Sequence, residues 1–173
     1  CVMQHIDLGR VKKVLCGNEA EMSLREEINL QIDEMVKNEL ITAYQAEFVD
    51  RTRIEHFFCA PIGLRLLNSD NVRREAAFNI EVKGNEIYKE HYEILKDESI
   101  LVQGVIDCYF YEKDGIVLLD YKTDYVPYGG EQAIRERYKM QIDYYTLALE
   151  KITQQKVKEK YVYLFWNGEI LGF

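Results

Sequence analysis

A chain of 173 residues, 47% apolar and 30% charged with two prolines, has room for one substantial core and is too short for several, which predicts a single domain over 1–173. That composition excludes a disordered or collagen-like chain, and neither a bilayer-length apolar run nor a signal-peptide pattern is present, which points to the cytoplasm. A net charge of -8 excludes a domain that captures nucleic acid by its overall field, leaving local contacts or contacts shared with a larger assembly.

The chain opens on Cys1 in an apolar context without an initiator Met, which predicts a piece of a longer polypeptide. Helical signals follow. Ser23 and Glu26 have capping-box spacing, and Leu24, Ile28, Ile32, Met35, Val36 and Leu40 recur at helical intervals. Thr42 and Gln45 repeat the start signal ahead of Phe48, Val49, Ile54, Phe57 and Phe58, and Pro61 restarts a short apolar turn over 62–67. The period then changes to that of strands at 72–83, 99–113 and 115–123. A helix is predicted over about 131–152, and a last strand pair, 157–165 and 169–173, around Asn167-Gly168. The order of helices, three strands, helix and two strands predicts an α/β fold, a sheet flanked by helices with a helical N-terminal half.

The stretch GVIDCYFYEKDGIVLLDYKTD, 104–124, carries Asp107, Asp120 and Lys122 inside otherwise apolar strands. Reading Asp114-Gly115 as the two-residue turn pairs Lys113 with Ile116, puts Lys122 opposite Asp107 and sets Tyr109 opposite Asp120. Alternation then sends Asp107, Asp120 and Lys122 to one face, and Ile106, Cys108, Phe110, Val117 and Leu119 to the other. The carboxylates become diagonal neighbours, roughly 7–8 Å apart at the backbone, able to converge on one hard cation at about 2.1 Å. Two acids close together repel unless a cation offsets them, and a divalent ion with a nearby ammonium supports phosphodiester hydrolysis. An isolated Asp-x-Lys is more often a solvated strand face with an ordinary Asp107–Lys122 ion pair. The second Asp in phase favours a site.

Gln141 and Tyr145 lie one turn apart on the last helix, with Arg137 a turn earlier and Tyr138 nearby, a face able to reach phosphates and stack a base. Glu75 stands in the preceding strand. His5, His56 and His91 show no metal-box spacing, and His56 beside Phe57 reads as a packed core residue. Cys1, Cys16, Cys59 and Cys108 form no CxxC pair, which predicts reduced thiols.

Glu75, the GVID ending in Asp107, Asp120-Tyr121-Lys122 and Gln141-x-x-x-Tyr145, in that order, resemble the RecB-type branch of the PD-(D/E)xK nucleases. VMQHIDL, LVQGVIDCYF, LLDYKTDYV and QIDYYTLALE look in addition like the nuclease domains of AddAB-type bacterial helicase-nucleases. The resemblance covers essentially the whole chain. It implies a restriction-endonuclease-like core with a mixed central sheet, Asp107 and Asp120 as Mg²⁺ ligands (Mn²⁺ a possible substitute), and Lys122 positioning water and stabilising the transition state. Glu75 is then an auxiliary acid, Gln141 orients the site, and Tyr145, with Arg137 and Tyr121, contacts DNA. It also implies exonuclease action on single-stranded ends produced by unwinding, a partner of the AddB type, and a role in double-strand break repair and recombination. ATP would serve only an upstream 3′–5′ helicase motor, none of whose motifs occur here. A metal-binding histidine is expected just before Cys1, and no iron-sulfur cluster is expected. The competing expectation is a nuclease fold kept without catalysis, for DNA guiding or subunit docking.

Overall fold

The computed structural model describes residues 2–17, 22–83, 99–127 and 130–173, so Cys1 and His91 lie outside the described residues. Helices α1 (Val2–His5), α2 (Leu8–Cys16), α3 (Leu24–Lys37), α4 (Ala43–Glu47), α5 (Arg51–Cys59) and α6 (Pro61–Asn68) come first. Strands β1 (Val72–Lys83), β2 (Ser99–Glu112) and β3 (Gly115–Lys122), helix α7 (Glu131–Thr153), and strands β4 (Val157–Leu164) and β5 (Glu169–Gly172) complete the α/β order. Ser23 and Thr42 each close a full capping box, satisfying backbone donors that helix starts leave open. The second predicted helix is broken, because Asp50 caps a new start and accepts from the Arg53 amide. Leu40 falls beyond the end of α3 and is exposed.

The five strands form one mixed sheet in sequence order. β1, β2 and β3 are antiparallel neighbours, β3 and β4 run parallel, and β5 returns against β4. Parallel pairing of β3 with β4 requires a long crossover, which α7 supplies. Each face of the sheet carries its own core. On one, α1 to α6 bury Phe57, Phe58, Cys108, Phe110, Leu119 and Tyr163; on the other, α7 packs Ile142, Ala148 and Leu149 onto Phe78, Leu118 and Val162.

The hairpin register differs from the expectation by one residue on each strand. Glu112 pairs with Gly115 and Tyr111 with Ile116, so Lys113-Asp114 is the turn and Tyr109 faces Leu118 rather than Asp120. Gly115 is needed for another reason. Its φ is +146°, and an added Cβ would lie 2.7 Å from the Lys156 carbonyl at the start of β4. A net shift of two positions preserves which residues share a face.

A second difference matters more. Arg74 and Cys108 belong to the α1–α6 side, whereas Ala76 and Ile106 pack with α7, so β1 and β2 change faces together between these pairs. Ile106 therefore does not share a core with Cys108 and Phe110. Glu75, at φ +48°, stands at the switch on β1, between the Arg74–Cys108 and Ala76–Ile106 pairs. A left-handed residue turns the following side chains over, and it costs strain that the surrounding structure must hold in place.

Candidate active site

The site lies where the sheet divides. The β2–β3 ladder reaches Cys108 and Leu119, after which β2 continues against β1 while Asp120, Tyr121 and Lys122 pair only with β4. Asp107 fills the gap, its Oδ2 accepting from the Tyr121 amide at 2.9 Å. A side-chain carboxylate thus takes the place of a ladder carbonyl, which holds Asp107 rigidly beside Asp120. Arg74, one residue before Glu75, donates to the Met3 and Ile6 carbonyls and ties α1 against the same region.

Asp120 is 1% exposed. Lys122 lies 2.6 Å from its Oδ2 as an ion pair, yet neither Asp120 oxygen has a hydrogen bond of good geometry. The pairing is therefore with Asp120, not across the hairpin with Asp107. Burial pushes the Asp120 carboxyl up to about 6, Lys122 opposes that rise, and Asp107 adds to it. Such an acid is short of partners, and a buried polar group without them is costly.

From α7, Gln141 donates to the Tyr145 hydroxyl at 2.9 Å. Tyr145 is buried, its ring edge-on to Phe78 at 5.7 Å. Burial raises its phenol, with Asp120, Asp107 and Glu75 adding to the rise, so its hydroxyl sits in the field of all three acids. This corrects the stacking expectation, because a ring packed in the core can offer DNA only its hydroxyl. Gly104 permits the packing, since an added Cβ would come within 2.9 Å of the Phe78 ring. Tyr121 is half-buried, its ring lying among Phe57 and Phe165 and its phenol raised by burial beside Cys108, and it also lines the cleft on the α1–α5 side. Arg137 remains on the surface, 3.1 Å from Asp124, which also accepts from Tyr138. Lys122 lies 4.8 Å from the centre of the Tyr138 ring, a cation–π contact that steadies the ammonium. His56 is exposed rather than packed in the core.

Asp107 and Glu75 also line a cleft of about 820 Å³ on the α1–α5 side, together with Phe48, Arg53 and Trp166. Nothing in the sequence periodicity marked Arg53 or Trp166, and it marked Phe48 only as an apolar helix position. The available signal was an aromatic residue at the head of the Asn167-Gly168 turn. Among the described residues, no group of three or more His, Cys, Asp or Glu side chains is placed to hold a metal ion. The donor chemistry of Asp107 and Asp120 nevertheless fits a hard cation, because the two carboxylates adjoin and buried Asp120 has Lys122 as its ion-pair partner but no hydrogen bond of good geometry. No described helix is long and apolar enough to cross a membrane.

A divided mixed sheet bearing adjacent acids, with a lysine two residues after the second, is the framework of a restriction-endonuclease-like nuclease fold. The chain belongs to the PD-(D/E)XK nuclease superfamily, whose family description matches residues 3–170. It is 51% identical over 99% of its length to an ATP-dependent helicase/nuclease subunit of Acetivibrio thermocellus. It is 49% identical over 99% to the protein of the same name in Thermoanaerobacter sp. strain X514, and 52% identical over 88% to that of Clostridium novyi. The likeness is thus to helicase/nuclease proteins of the AddA type. The matched region is 13% of the first two proteins and 12% of the third.

Proposed function

We propose that this chain is the Mg²⁺-dependent DNA nuclease domain of a longer helicase-nuclease, acting as an exonuclease on single strands released by unwinding. The observation that carries the reading is buried Asp120, beside Asp107 and ion-paired with Lys122 yet without a hydrogen bond of good geometry. Asp107 and Asp120 would hold the divalent cation, with Mn²⁺ able to substitute. When bound, that ion would polarise the scissile phosphate and make its water more acidic.

The side chains divide the remaining work. Lys122 orients the attacking water and stabilises negative charge developing on the phosphate oxygens. Asp107 keeps its orientation through the Tyr121 amide, so the acid pair is preorganised before substrate arrives. Glu75 adds negative charge at the switch point, and Gln141 fixes the Tyr145 hydroxyl toward the acids. In the whole protein, an ATP-driven 3′–5′ helicase motor and a partner of the AddB type would deliver the strand during double-strand break repair and recombination.

The test is cleavage by the intact helicase-nuclease carrying Lys122→Ala or Asp120→Ala, scored beside ATP-driven unwinding. Loss of cleavage with unwinding retained is expected. Loss of both would assign these residues to the fold instead.

A further inference from the structure

The acidic chain poses a problem for a nuclease. With a net charge of -8 and Asp107 and Glu75 lining the cleft, the general field repels phosphate, so substrate needs a grip that does not depend on net charge. The cleft offers one. Trp166, the chain's one tryptophan, lines it from the β4–β5 turn and is 51% exposed. Tyr125, 65% exposed, meets Trp166 edge-to-face with ring centres 4.9 Å apart. Phe48, in the loop between α4 and α5, also lines the cleft and is 72% exposed. Arg53 lines the same cleft, 3.9 Å from Asp50, which lines it too.

Large aromatic groups left this exposed mark a binding surface. Here Trp166 and Phe48 share the cleft with Asp107 and Glu75. Tyr125 comes three residues after Lys122, and the Phe165 amide before Trp166 donates to the Lys122 carbonyl at 2.8 Å. An aromatic surface anchored to the lysine strand and opening on Asp107 suits a single strand with unstacked bases. A duplex keeps its base faces covered, whereas stacking on protein rings is tolerant of sequence and indifferent to net charge.

Resting on the nuclease reading above, we infer that Trp166, supported by Tyr125 and joined by Phe48, forms a base-stacking entry that positions single-stranded DNA for cleavage at Asp107 and Asp120. Arg53 contacts the backbone of the same strand. The site selects single strands through their exposed bases.

The test uses the intact helicase-nuclease and an oligo(dT) substrate without ATP. Cleavage of that substrate by wild type, lost in Lys122→Ala, is the baseline that judges the nuclease reading separately. Against it, Trp166→Ala should raise KM roughly ten-fold, the loss of one base stack, with kcat little changed. Trp166→Phe should restore most of the affinity, and Trp166→Leu, apolar without a π face, should not. Oligo(dT) carrying 5-iododeoxyuridine should crosslink to Trp166 or Tyr125 under near-ultraviolet light. An unchanged KM in Trp166→Ala, rescue by Leu equal to that by Phe, or crosslinks confined to other regions would overturn the proposal. Loss of ATP-driven unwinding together with affinity would also overturn it, because the aromatic face would then be packing against the rest of the protein.

Discussion

Removing the charge at Asp120 should stabilise the metal-free chain at neutral pH. The folded carboxyl titrates at about 6 against its ordinary 3.8, chiefly because it is buried. A raised folded value means that the native state keeps its proton to higher pH than the unfolded chain does. The associated stability is fully present below about 3.8 and is lost as pH rises through about 6. At about 1.4 kcal/mol per ten-fold change, that interval corresponds to roughly 3 kcal/mol across the whole titration, most of it between pH 4 and pH 7. Asp120→Asn carries no such charge, so urea denaturation in chelator should find it about 2–3 kcal/mol more stable than wild type at pH 8 and nearly equal at pH 4. An Asn variant less stable at pH 8, or one whose advantage does not shrink on acidification, would refute the claim that Asp120 is short of partners.

Lys122→Ala should act in the opposite sense, costing the metal-free chain about 3 kcal/mol at pH 8 by leaving the Asp120 charge buried alone; the cost should fall at pH 5, read by the same denaturation. Phe57→Ala removes the fully buried ring that meets Phe58, Tyr121 and Tyr163 edge-on, and a loss of about 3–5 kcal/mol is expected in equilibrium unfolding. Arg65 bridges α6 to Glu112 and Glu159, holding the Glu112 carboxyl down at about 2. Glu112 therefore contributes stability above its ordinary 4.5 that is lost as pH falls through about 2. Arg65→Ala should cost about 1–2 kcal/mol at pH 7 and less at pH 2.5, measured by thermal unfolding across that range.

What the amino-acid order determined was local or periodic. Ser23 and Thr42 announce helix starts because a side-chain oxygen three residues from an open amide needs no distant partner. The five strands were legible from their composition and alternation, and Asp107, Asp120 and Lys122 from charge set inside them. Tertiary structure decided the rest, because it depends on chain segments far apart in sequence. The turn is Lys113-Asp114, and Gly115 already pairs in the strand, where the Lys156 carbonyl, on the far side of α7, leaves no room for a Cβ. Tyr145 turns inward because Phe78 receives its ring above Gly104. Glu75 adopts its left-handed backbone where two strands change cores together, a demand set by packing on both faces of the sheet. Even the ion pair follows this rule: Lys122 meets Asp120 on its own strand, where β3 beyond Leu119 pairs with β4 alone.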